Sequence, residues 1–210
     1  MAQFFAVHPT NPQARLVRRA ADIVRADGLI AYPTDSCYAL GCLPAATKAL
    51  ERLRRLRRID ERHHLTLMCR SLSEIAAYAI VDDARFRLIK RVTPGSYTFI
   101  LRGTRELPRR LLHPKRKTIG VRIPDHAVAQ ALLEELDQPM LSTTLLLPGD
   151  AQPLSDGEAI RSRIERQLDL VIDAGSCGTE PTTVIDLTGE APLVVRRGKG
   201  SLAPFAVEAL

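Results

Sequence analysis

The spacing of apolar residues changes character repeatedly along the chain. Within PQARLVRRAADIVRADG, Leu16, Ala20, Ile23 and Val24 recur at three- and four-residue intervals. This predicts a helix with Asn11 as N-cap, Pro12 as its first residue and Gly28 as its stop. The continuous apolar run GLIAYP then predicts a buried strand, followed by a loop at the turn-prone TDS. In AATKALERLRRLRRID the helical period returns, with Leu50, Leu53 and Leu56 on one face and arginines around the rest.

The remaining chain alternates in the same way. LTLMC reads as a strand, and SLSEIAAYA and DDARFRLIKRV as short helices opened by Ser71 and by Asp82 or Asp83. TPGSYTFILRG turns at Pro94-Gly95 and becomes β-rich, and TIGVRIP is a strand closed by proline. HAVAQALLEELDQ and DGEAIRSRIERQLD are helical by period, with the strand PMLSTTLLLPG between them. LVIDAG, TTVIDLTG and LVVRRG complete the series, too closely spaced for a helical crossover between each pair. The expected fold is therefore α/β with a mixed sheet, in one domain covering residues 1–210 with its core at about 12–200.

A composition of 45% hydrophobic and 26% charged residues excludes a disordered chain. The formal charge of +6 favours polyanionic partners. The charge is also clustered: Glu51–His64 contains six arginines, and Pro108–Arg122 contains six Lys or Arg. Cys37, Cys42, Cys69 and Cys177 form no CxxC pair, and no zinc-ligand spacing appears, so no bound metal is expected. No basic-then-apolar leader and no membrane-length apolar run is present, which leads to the expectation of a cytoplasmic protein with reduced thiols and no membrane partner.

Neither GxxxxGK[ST] nor GxGxxG occurs, so a nucleotide site here would rely on side-chain cations and hydroxyls. Thr34, Asp35 and Ser36 follow a buried strand, where α/β proteins place ligands; the same residues also suit a turn that satisfies its own backbone. Arg55, Arg57 and Arg58 form either a solvated helix face or an anion site, since four arginines within five residues repel one another unless an anion is near. Lys115, Arg116, Lys117 and Arg122 flank TIGVR, where Arg122 lines a pocket or faces water. Cys37 and Cys42 read as structural, and His63-His64 as a loop or surface pair.

Six segments, YPTDSCYALG, LRRLRRIDERHHLTLM, TPGSYTFILRG, KRKTIGVRIP, PMLSTTLLLPG and PTTVIDLT with VVRRG, occur in the order and spacing of the YrdC/TsaC family. The chain resembles its YciO branch most, from about residue 3 to 200. The resemblance implies a twisted mixed sheet flanked by helices, with a basic cavity on one face. It implies condensation of L-threonine, bicarbonate and ATP, with Mg2+ accompanying the ATP, to threonylcarbamoyl-adenylate and pyrophosphate, the first step toward the t6A modification of tRNA. By position it assigns threonine to Thr34 and Arg122, and nucleotide or phosphate to Arg55, Arg57, Lys117, Ser142, Thr144 and Arg196. Two departures stand out: Arg55-Leu56-Arg57 replaces a Lys-x-Arg, and Thr144-Leu145-Leu146 replaces a Ser-x-Asn, so an amide is exchanged for an apolar side chain. These departures imply weak synthase activity, with binding of tRNA or double-stranded RNA as the alternative use of the same fold.

Overall fold

The computed structural model describes residues 1–205. Ten strands form one sheet: β1 (Gln3–Ala6), β2 (Ile30–Tyr32), β3 (Ala39–Cys42), β4 (Thr66–Met68), β5 (Tyr97–Arg102), β6 (Thr118–Arg122), β7 (Met140–Thr144), β8 (Leu170–Asp173), β9 (Thr183–Asp186) and β10 (Leu193–Arg196). Their spatial order is β1-β8-β2-β3-β7-β4-β6-β5-β9-β10. Pairs β1/β8, β2/β8, β4/β6 and β5/β9 are parallel and the others antiparallel, so the sheet is mixed as the strand spacing predicts.

Among the described residues six α-helices flank it: α1 (Ala14–Arg25), α2 (Thr47–Arg57), α3 (Leu72–Tyr78), α4 (Asp83–Lys90), α5 (Ala127–Leu136) and α6 (Gly157–Ile164). The α2 stripe Ala49, Leu50, Leu53 and Leu56 is buried, and α2 contacts β3. Ser71 and Asp82 accept N–H bonds from Glu74 and Arg85, capping α3 and α4 as expected.

Three local readings change. The first helix starts at Ala14, not Pro12, and Asn11 is not its cap. His8 Nδ1 accepts the Asn11 N–H while Gln13 Oε1 accepts the His8 N–H, so residues 8–13 close a turn of their own before the helix begins. The left-handed residue after this helix is Asp27 at φ 66°, and Gly28 follows because a Cβ there would sit 2.4 Å from the Ile23 carbonyl oxygen. Strands β1 and β3 were not anticipated: neither QFFA nor YALGC carried an assignment.

Strand β8 lies between β1 and β2, whereas β9 lies beyond β5, so the segment 174–182 crosses from one half of the sheet to the other. Along the way, the Cys177 N–H donates to the Ser155 carbonyl, and Gly178 packs so closely on Ser36 that a Cβ would lie 2.8 Å from its carbonyl oxygen. This crossing becomes part of the wall described next.

Candidate functional site

Strand alternation places one face of the sheet in a cavity. Across the centre Gly41, Ser142, Thr66, Gly120 and Ile100 stand opposite one another in register, with Ala39 opposite Thr144 and Met68 opposite Arg122. Their neighbours Leu67, Phe99, Val121 and Leu141 are fully buried in the core. The cavity, about 460 Å3, is lined by Ser142, Thr66, Gly120 and Ile100 of that row with Ser36, Cys37, Thr98, Thr182, Arg62, His63 and His64. A second chamber of about 420 Å3 adjoins it through His63, Thr143, Thr144 and Arg196, and adds Arg57, Leu146, Gln152 and Glu180. Glu180 is the one carboxylate among the described lining residues of the two chambers, so the walls are strongly positive.

Arg122 is 6% exposed, and its Nη2 donates to Asp35 Oδ1 at 2.5 Å. Asp35 also accepts from Ser96 Oγ at 2.6 Å and from the Asp125 N–H at 3.2 Å. Burial alone would raise the Asp35 carboxyl, but Arg122 and the Ser96 hydroxyl outweigh it and hold the group below the usual carboxylate range. Arg122 is thereby pinned at the cavity wall, while its Nε is buried without a partner. A guanidinium edge held in this way is matched to a planar carboxylate.

Thr34 is buried, and its hydroxyl closes a local turn. Oγ1 accepts from the N–H groups of Ser36 and Cys37 at 3.2 and 3.3 Å and donates to the Cys37 carbonyl at 2.7 Å. It therefore shapes the loop that brings Ser36 and Cys37 to the wall. Ser142 Oγ accepts from the buried Tyr32 hydroxyl at 2.8 Å, which leaves its own proton available to donate. Arg196 is oriented from β10 by Nε and Nη2 bonds to the Thr182 carbonyl at 3.1 and 2.9 Å. Arg57 is half-buried, and burial pulls its guanidinium below the usual value; its Nε lacks a partner, and no ion pair to it occurs among the described residues.

The structure thus brings Arg122, Ser142, Thr144 and Arg196 to one cavity, with Arg57 in the adjoining chamber and Thr34 directly behind the wall. Arg55 is exposed and lines neither chamber, because residues two apart on a helix point about 200° from each other. Lys117 is exposed with its Nζ on the Pro114 carbonyl, in an outer groove shared with Arg105 and Arg109. Sequence reasoning passed over Arg62, His63 and His64, which lie on the wall and not merely in a surface loop, and the hydroxyls of Thr66, Thr98 and Thr182. The alternation of Thr66 with Met68 and of Thr98 with Ile100 around buried residues was the available signal.

The cysteines are all free. Burial raises the thiols of Cys37 and Cys69, and lifts those of Cys42 and Cys177 to about 12 and about 11, so none is a thiolate nucleophile at neutral pH. No described helix is long and apolar enough to cross a membrane.

Comparison with known proteins places this geometry. The Sua5/YciO/YrdC family model, described as telomere recombination, matches residues 22–198. YciO of Escherichia coli (strain K12), an uncharacterized protein, is 57% identical over 205 residues, covering 98% of this chain and 100% of the relative. Its crystal structure superposes with a TM-score of 0.95. A threonylcarbamoyl-AMP synthase of Chromobacterium violaceum is 31% identical over 180 residues, covering 85% of this chain and 92% of the synthase. P. abyssi Sua5, solved in complex with L-threonine, is 25% identical with a TM-score of 0.85 over 93% of this chain and 57% of that one. With the matched model spanning most of its length, and with this fold, the chain belongs to the Sua5/YciO/YrdC family.

Proposed function

We propose that the chain is a threonylcarbamoyl-AMP synthase-like enzyme of weak activity, acting on L-threonine, bicarbonate and ATP with Mg2+ carried by the ATP phosphates. The observation that supports this most is the pairing of a pinned, half-satisfied Arg122 in one chamber with the unpaired cations Arg57 and Arg196 at the next. In this reading Arg122 receives the threonine carboxylate, with the loop held by Thr34 beside it. Arg57 and Arg196 receive the phosphates, Ser142 and Thr144 contact the nucleotide, and Arg55 and Lys117 add positive field from outside.

The threonine amine attacks the bicarbonate carbon, and water leaves as the carbamate forms. A carbamate oxygen then attacks the α-phosphorus, and the α,β-phosphoanhydride bond breaks to release pyrophosphate. Fixed cations lower the cost of the charge that develops on the leaving pyrophosphate, and an enclosed site holds amine and carbamate in place. Leu146 lines the phosphate chamber where an amide would donate and accept, which is the reason for weak activity.

The test is incubation with ATP, magnesium, labelled bicarbonate and L-threonine, following labelled threonylcarbamoyl-adenylate by mass spectrometry. Threonine-dependent product, lost in Arg122→Ala, is expected; no product beside an active synthase control removes the reading.

A second reading, as a tRNA- or double-stranded-RNA-binding protein, is favoured by the outer surface. Arg54 Nη2 donates to the Arg110 carbonyl, joining α2 to a loop that carries Arg109, Arg110, Lys115, Arg116 and Lys117. None of these six pairs with a carboxylate among the described residues. Such a face suits backbone phosphates and predicts duplex binding that weakens steeply with salt.

A further inference from the structure

One group at the junction of the two chambers has no part in the synthase reading. His63 lines both chambers and is exposed. Arg57 approaches it from the end of α2 and Arg196 from β10, while its own loop supplies Arg62, His64 and the carboxylate of Asp60. Strand β7 contributes only the hydroxyls of Thr143 and Thr144, and the crossing segment contributes Glu180. Partial burial, then Arg57, hold the His63 imidazolium below its ordinary range; Asp60 opposes this and Arg196 adds to it. The junction therefore places a pair of cations beside an imidazole whose charged form they disfavour.

We propose that His63 is the third member, with Arg57 and Arg196, of a diphosphate-binding clamp, and that it takes up a proton as the anion enters. The proposal relies on the nucleotide reading only for the natural source of the anion. A diphosphate between Arg57 and Arg196 reverses the sign of the local field, so the imidazolium that the empty site disfavours becomes the favoured form. Linkage is reciprocal: if the anion promotes protonation, protonation tightens the anion. Affinity at this junction thus increases as pH falls through the histidine range, and a rise of half a unit in the His63 titration point corresponds to about threefold in affinity.

The other cavity histidine provides an internal control. His64 Nε2 lies 2.8 Å from Thr118 Oγ1, and its ring stacks on His113 with centroids 4.9 Å apart, so the neighbouring charges acting on it are first those of His113 and Arg116, with smaller contributions from His63 and Asp186. His126 feels Asp35, Arg122 and Asp125 and lines neither chamber.

The probe is inorganic pyrophosphate, added to full-length protein labelled with 13C at the histidine Cε1 positions and titrated by NMR from pH 5 to 8.5. Saturating pyrophosphate is expected to raise the His63 titration point by half a unit or more, with clearly smaller movement at His64 and His126. In parallel, the wild-type Kd is expected to tighten between pH 8 and pH 5 about threefold more than that of His63→Gln, with His64→Gln behaving as wild type. Comparison with the variant removes the ionisation of pyrophosphate itself. A His63 titration point unmoved at saturation, an unchanged pH profile in His63→Gln, or no binding at millimolar pyrophosphate each overturns the proposal. Proton-linked binding without threonylcarbamoyl-adenylate formation would leave the clamp standing and remove the synthase reading; synthase activity with an unmoved His63 would do the reverse.

Discussion

Replacing Asp35 by alanine removes one partner of the most enclosed ion pair in the described structure. The two side chains are 8% and 10% exposed, so solvent screening offers little relief. Arg122 would be left buried with Nε already unpartnered, and the Ser96 hydroxyl and Asp125 N–H would lose their acceptor. Breaking a buried pair from one side costs about 3–5 kcal/mol, which in a chain of this size lowers Tm by about 6–20 °C. Asp35→Ala combined with Arg122→Met removes both charges and is expected to recover most of that loss. Thermal unfolding of the wild type, both single variants and the double variant forms the cycle that measures the coupling. A single Asp35→Ala variant within about 1 kcal/mol of wild type would refute the claim that this carboxylate pins the arginine. The same pair sets an acid limit. Because the Asp35 carboxyl is held below its usual range, its stabilisation is complete above the ordinary aspartate pKa and lost as pH falls through the lowered one.

Three further outcomes follow from the same geometry. Leu146→Asn places an amide in the second chamber and, on the proposed nucleotide reading, should raise nucleotide affinity by about tenfold, the equivalent of one net hydrogen bond of about 1.4 kcal/mol; calorimetric titration with an ATP analogue checks it. Thr34→Val strands the Ser36 and Cys37 N–H groups and should cost about 1–3 kcal/mol in denaturant unfolding. Burial lowers both His64 and His126 in the folded chain, with His113 and Arg116 also acting on His64. The unfolded chain therefore binds more protons below about pH 6.5, and Tm should fall as pH is lowered from 7 toward 5; a flat profile would contradict this.

Much of the fold was legible because its elements carry their signals locally. The leucine stripe of α2, the caps at Ser71 and Asp82 and the alternation around Arg122 each need only a few neighbouring residues to read. Strand β3 was not legible: Ala39–Cys42 is buried at every position, so no alternation marks it. The site was only partly readable for the same reason. Asp35 and Arg122 lie 87 positions apart in sequence and meet only through the sheet order. In the basic segment of α2, charge alone could not separate Arg57, which reaches a chamber, from Arg55, which faces outward; helix geometry does. His63 and His64 looked like surface residues because the crossing segment and β10, which enclose the chambers beside them, come more than a hundred residues later.

The central claim is that threonine and nucleotide phosphates occupy the two joined chambers. A crystal structure of the protein soaked with L-threonine and a non-hydrolysable ATP analogue tests it most directly. The account predicts the threonine carboxylate on Arg122 and the phosphates between Arg57 and Arg196; difference density for either ligand outside these chambers, or none beside them at saturating concentration, would contradict it.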